Sequence, residues 1–144
     1  MSPVTALQRA LSAEHAALHV YGVLGARTSA SATPDLLAAL TGGYSAHRAR
    51  RDQLAARVRD RGVEPVAADP AYEIPSPLDT SAEVTRAALA VEHSCTATYA
   101  WLVGQTSGAD RALAVSALTN TAVRELTFRG SPEIFPGAGE HADR

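Results

Sequence analysis

The stretch Ala13-Glu14-His15-Ala16-Ala17-Leu18-His19-Val20-Tyr21-Gly22-Val23-Leu24 returns 78 residues later as Val91-Glu92-His93-Ser94-Cys95-Thr96-Ala97-Thr98-Tyr99-Ala100-Trp101-Leu102. Glu-His, Tyr and Leu keep their spacing, so Glu14 aligns with Glu92, His15 with His93, Tyr21 with Tyr99 and Leu24 with Leu102. Carried onward at the same offset, the repeat pairs Leu40 with Leu118, His47 with Glu125 and Arg51 with Arg129. Ungapped self-similarity of this kind divides the chain into two related halves.

Each half reads as two helices. In the first helix Val4, Leu7, Leu11, Glu14, Leu18, Tyr21 and Gly25 recur in alternating steps of three and four, the spacing of one helical face. It is expected to start after Pro3 or Thr5 and run to about Arg27, followed by a short loop over 29–34. The second, from about Asp35 to Arg61, carries the seam Leu37, Leu40, Tyr44, His47, Arg51, Leu54, Val58 and stops at Gly62. Gly42-Gly43 within it weakens the helix or marks a kink or a close helix contact. The third is capped by Thr80 or Ser81 and continues to about Thr106, with Ala88, Glu92, Cys95, Tyr99 and Leu102 on one face. The fourth runs from about Ala109 to Arg129, with Ala114, Leu118, Ala122, Glu125 and Arg129 on one stripe.

Between the halves, residues 63–79 hold Pro65, Pro70, Pro75 and Pro77. Such a long connection needs a task, and the simplest is to travel the length of the bundle. Seventeen residues in polyproline-like geometry reach roughly 50 Å, against roughly 39 Å for a helix of about 26 residues. Tyr72, Ile74 and Leu78 are available to dock it. The expectation is an all-α, antiparallel four-helix bundle over residues 1–130, built of two helical hairpins joined by this Pro-rich crossover. A tail over 131–144 would follow, loose except where Ile134 and Phe135 offer an apolar hook.

Composition agrees. The 144 residues suit one domain, and 30 alanines with only 5% aromatic residues favour closely packed helices. All 13 basic residues are arginine, a usage that suggests a GC-rich bacterial genome. A net charge of −2 gives no global pull towards nucleic acid or membrane. One cysteine, no signal-peptide pattern and no apolar run long enough to span a bilayer indicate a soluble, cytoplasmic protein.

The polar residues on the seams fall at one height. Glu14 precedes the end of helix 1 by about as much as His47 follows the start of helix 2, and Glu92 and Glu125 are placed alike about the second break. Four helices therefore each send one ionisable group to mid-bundle. Three buried carboxylates require compensation. A single divalent metal held by Glu14, His47, Glu92 and Glu125 would supply it; so would His47 protonated, with Arg51 and Arg129 each one turn beyond a site residue. His15 and His93 point about 100° off the seam and are expected at the flank; His19 and His15 form an i, i+4 pair more consistent with solvation than ligation. Cys95, Tyr99 and Trp101 read as packing residues, and His141 as part of the tail. No phosphate-binding glycine loop, nucleophile elbow or Cys-x-x-Cys pair is present.

Two hairpins related by a repeat, a long crossover and inward carboxylates with a histidine at mid-height resemble the ferritin-like superfamily. The Glu-His of helix 1, the His-Arg-x-Arg-Arg-Asp of helix 2 and the Pro-Ala-Tyr-x-x-Pro crossover are similar to an alanine-rich bacterial ferritin-like family of unknown function. Its di-iron relatives use Glu, Glu-x-x-His, Glu, Glu-x-x-His. Glu14 and Glu92 match the lone glutamates, but the other two motifs read Tyr44-x-x-His47 and Ala122-x-x-Glu125 here. Three carboxylates and one histidine stand where six ligands would.

The preferred functional reading is thus a non-catalytic ferritin-like domain with no cofactor, its degenerate di-iron site replaced by a buried network of Glu14, His47, Glu92 and Glu125 with Arg51, Arg129 and Tyr44, acting through its surface as a homodimer. A second reading binds one Fe or Mn ion, which hard carboxylates with one imidazole suit. A third binds nucleic acid weakly through helix 2, where Arg48, Arg50, Arg51, Arg57, Arg59 and Arg61 against Asp52 and Asp60 give a local +4.

Overall fold

The computed structural model describes residues 2–129, 131–132 and 134–138. Four helices form in order: α1 (Pro3–Ala26), α2 (Pro34–Arg59), α3 (Ser81–Gln105) and α4 (Gly108–Arg129). Their ends follow from local chemistry. The Ser2 hydroxyl accepts from Thr5 N–H ahead of Pro3, and Thr80 and Glu83 cap each other's backbone N–H groups at the start of α3. Those hydrogen bonds, chiefly from the Thr80 backbone, hold the Glu83 carboxyl below the usual carboxylate range. Gly62 (φ +71°) and Gly108 (φ +54°) take the left-handed conformation at the end of the first hairpin and at the tight α3–α4 corner.

α1 packs on α2 and on α3, and α3 packs on α4, whereas α2 and α4 border an open groove. Two apolar clusters fill the bundle, one at each end. The first joins Leu7, Leu11, Leu54, Val58, Tyr99 and Leu102; the second joins Tyr21, Leu24, Leu40, Leu78 and Val84. The polar residues lie between them, at the height where Leu11 gives way to Ala17 along α1.

The crossover returns along α1. Gln8 donates to the Glu64 carbonyl (2.6 Å) and accepts from Val66 N–H (2.8 Å), the His15 ring reaches the Val66 carbonyl (3.1 Å), and His19 stacks obliquely on Tyr72. Ile74 and Leu78 then pack into the second cluster. The docking residues expected from sequence are thus in place, and side chains of α1 take the place of a backbone partner at Glu64 and Val66.

One expectation changes and another is narrowed. Ile134 and Phe135 do not hook the tail onto the bundle through buried side chains; they are 77% and 65% exposed. The tail instead approaches α3 at Gly137 (φ +81°), where a Cβ would come within 2.8 Å of Ala100 Cβ and of the Thr96 carbonyl. Of the glycine pair in α2, Gly43 is the close contact and Gly42 faces open space. His141 lies outside the described residues. Among the described residues no helix is long and apolar enough to cross a membrane.

Candidate functional site

Glu14 and Tyr21 are seven residues apart on α1, and Glu92 and Tyr99 seven apart on α3, so each pair lies on one stripe of its helix. The two helices run antiparallel. Each tyrosine therefore meets the other helix's carboxylate: the Tyr99 hydroxyl donates to Glu14 Oε1 and the Tyr21 hydroxyl to Glu92 Oε1. The sequence repeat has become a local two-fold exchange.

His47 of α2 sits between the two carboxylates. Its Nδ1 lies 2.6 Å from Glu14 Oε2 and its Nε2 3.1 Å from Glu92 Oε1. Ionised carboxylate oxygens only accept, so between two ionised carboxylates both ring nitrogens carry hydrogen and the ring is an imidazolium. Burial alone would push the His47 proton off, but hydrogen bonds and charge from Glu14 and Glu92 outweigh it and raise the ring's pKa above 6.5. Burial likewise pushes the Glu14 carboxyl up, and His47, Arg50 and Tyr99 together hold it below 4.5. Burial first, then the neighbouring carboxylates, keep Tyr21, Tyr99 and the Cys95 thiol protonated. Gly43, one turn before His47, makes room for this arrangement: a Cβ there would lie 2.8 Å from Cζ of Tyr21.

Arginines close the cluster. Arg50, 6% exposed, reaches Glu14 Oε1 from Nη1 at 3.4 Å and lies over the Tyr99 ring. Arg124 Nε lies 2.9 Å from Glu92 Oε1, close enough for an ion pair but off the angle at which N–H donates, so that nitrogen has no hydrogen-bond partner. Glu92 Oε2 is also buried without one. Glu125 forms the adjoining group on α4: the Thr96 hydroxyl donates to Oε1 (2.5 Å), Arg129 Nη1 to Oε2 (2.9 Å), and His93 Nδ1 stands 3.6 Å from Oε2.

The structure therefore brings Glu14, His47 and Glu92 into direct contact and sets Glu125, paired with Arg129, beside them. It does not bring in Arg51 or Tyr44. Arg51 turns outward to Asp52 (2.7 Å) and Tyr44 is 40% exposed. The reason is a rotation of the α2 seam. The buried face runs Leu40, Gly43, His47, Arg50, Leu54, Val58, because Tyr21 admits only a glycine opposite it and that choice turns position 44, and with it 51, away from the core. Arg50 occupies the place expected for Arg51. Sequence reading missed Arg50, Arg124, Thr96 and the two tyrosines; the tyrosines were signalled by their fixed spacing from the repeated glutamates, the others by nothing in the pattern. His93, 53% exposed, lies at the flank as expected, and Cys95 is buried in the first apolar cluster. Among the described residues no three histidine, cysteine, aspartate or glutamate side chains are arranged to hold a metal ion.

The fold and this geometry can be set beside known proteins. The structure of a conserved hypothetical protein of Mycobacterium tuberculosis superposes with a TM-score of 0.81 at 28% identity, covering 89% of this chain and 95% of that one. A dodecameric thioferritin, a bacterioferritin-related protein of Bacteroides fragilis, superposes with a TM-score of 0.75 at 19% identity, covering 89% and 82%. The second likeness establishes the ferritin-like four-helix fold. No curated protein matches the sequence. Residues 6–140 match a family described as a domain of unknown function, DUF4439. With nearly its whole length in that match, the chain belongs to the DUF4439 family, and its fold is a ferritin-like four-helix bundle.

Proposed function

We infer that the mid-bundle cluster is a metal-free, salt-bridged core in a non-catalytic ferritin-like domain. One observation carries this: both ring nitrogens of His47 are taken by carboxylates, leaving no lone pair for a metal. Glu14, Glu92 and Glu125 each meet one arginine, Arg50, Arg124 and Arg129, so the three carboxylates are matched without a metal and the imidazolium adds a fourth positive charge. The ligands of a di-iron centre are thus short in number, and those present are engaged; the residues do not fit that group. A domain of this kind would act through its surface, and a homodimer is the assembly we expect.

A second reading, one Fe or Mn ion held by Glu14, His47, Glu92 and Glu125, is favoured by a single feature, the buried and unpartnered Glu92 Oε2. Nucleic-acid binding through α2 is less well supported. Arg50 is ion-paired with Glu14, and Arg57 and Arg61 share Asp110, which halves the local +4. Elemental analysis by mass spectrometry decides between the first two. Untagged protein made with added iron and manganese is expected to carry no stoichiometric metal. About one equivalent in the wild type, lost in Glu92→Ala, would replace the first reading by the second.

A further inference from the structure

The side of the bundle where α2 and α4 fail to close holds a groove of about 830 Å³. Alanines stand on both walls: Ala46, Ala49 and Ala56 on one helix face Ala109, Ala112 and Ala117 on the other. Such side chains are too short to meet across the gap, and they give the trough an apolar strip flanked by polar residues. Gln53, Ser116 and Asn120 along it are exposed, as is Asp60 at its far end beside the half-buried Arg57.

Arg50 and Arg124 line this same groove. A guanidinium carries five N–H donors. Arg50, buried to 6% exposure, meets Glu14 through Nη1 at 3.4 Å and lies over the Tyr99 ring, and Arg124 meets Glu92 through Nε at 2.9 Å. Each arginine meets the carboxylate behind it through a single nitrogen and also lines the groove, one on each wall, so the rest of each guanidinium is on the groove side of that pair. A planar fork of this kind prefers a carboxylate, which can accept from it in pairs.

We propose that the α2–α4 groove is a binding site for an organic carboxylate with a narrow apolar body, its head held between Arg50 and Arg124 and its chain lying along the alanine walls. From Arg50 to Asp60 the groove follows α2 for roughly 15 Å, room for an extended alkyl chain. The proposal goes beyond the metal-free reading of the cluster and does not depend on it.

Calorimetric titration of the full chain in metal-free, low-salt buffer tests it, with acetate, butyrate, octanoate and decanoate below their micelle concentrations, and with decanol and inorganic phosphate as probes of body and charge alone. Affinity should rise about fourfold per added methylene until the groove is filled, and decanol and phosphate should each bind at least tenfold more weakly than decanoate. Arg124→Gln should lose at least tenfold in decanoate affinity. Should that variant fold poorly, Ala112→Phe, which fills the groove from an exposed position and leaves the cluster alone, should melt like the wild type and lose binding. The proposal is overturned if decanoate does not bind, if phosphate binds as well, or if Ala112→Phe binds decanoate unchanged. It is also overturned if that variant instead converts a dimer to a monomer, which would make the groove a contact between copies. None of these results alters the elemental analysis, so failure here and failure of the metal-free reading are told apart.

Discussion

Replacing Glu14 by glutamine isolates what the buried carboxylate contributes. The side chain is fully buried and receives the Tyr99 hydroxyl, His47 Nδ1 at 2.6 Å and Arg50 Nη1 at 3.4 Å. Glutamine keeps the shape but offers one acceptor oxygen and turns an NH2 group towards donors that have nowhere else to point. Arg50 then loses the carboxylate it reaches and His47 keeps only Glu92, so a buried negative charge disappears from between two cations. Breaking a buried pair from one side costs about 3–5 kcal/mol. That is a large part of the ~5–15 kcal/mol by which domains of this size are stable. At roughly 3 °C per kcal/mol the melting temperature should drop by about 10–15 °C. Far-ultraviolet circular dichroism in EDTA-treated buffer reads it directly, and urea titration should show a lower midpoint with an unchanged slope. Glu73→Gln, an exposed carboxylate on the crossover, is the control and should stay within about 0.5 kcal/mol of wild type. A Glu14→Gln protein that melts within a degree or two of wild type would refute the argument that this carboxylate neutralises its neighbours. The figure is the cost of breaking the pair and not the net worth of having one, since a matched apolar replacement of all partners could be neutral.

Stability should also follow pH through the same pair. His47 is held above its ordinary 6.5, so its contribution is complete below pH 6.5 and is lost as pH rises through the folded value; Glu14 is held below 4.5, so its contribution is complete above pH 4.5 and is lost as pH falls through its folded value. The contribution of this pair is therefore greatest between pH 4.5 and 6.5, and His47→Gln should flatten the alkaline limb of a urea-midpoint titration; equal alkaline slopes in both proteins would count against a buried imidazolium. The glycine pair gives a cleaner packing test. Gly42→Ala, with nothing within 4 Å of the new methyl, should stabilise α2 by up to about 1 kcal/mol, whereas Gly43→Ala drives into the anchored Tyr21 ring and should destabilise by about 1–3 kcal/mol. Melting temperatures that shift in the same direction would show that Tyr21 can move aside.

Much of this protein is legible without coordinates. The three- and four-residue spacing of Leu7, Leu11, Leu18 and Tyr21, the caps at Thr80 and Gly62, and the proline run over 63–79 define the helices to within about two residues, because these are local properties of backbone and burial. The heights of Glu14, His47 and Glu92 were also readable, since a repeat fixes equivalent positions in both hairpins. The rotation of α2 was not. Seams through 44 and 51 or through 43 and 50 fit the periodicity almost equally, differing by one residue or about 100°, and the choice between Arg50 and Arg51 followed that rotation.

The sequence by itself determined that there would be four amphipathic helices in two similar hairpins, with one ionisable group from each near mid-height. Only tertiary structure decided which arginines neutralise those groups, that Tyr21 and Tyr99 cross to each other's carboxylate, and that α2 and α4 leave a groove between them. The physical reason is range. Helix formation and facing are set by residues three and four apart, whereas the pairing of Glu92 with Arg124, or the room Gly43 leaves for Tyr21, depends on how helices distant in sequence rotate against one another until the larger side chains fit.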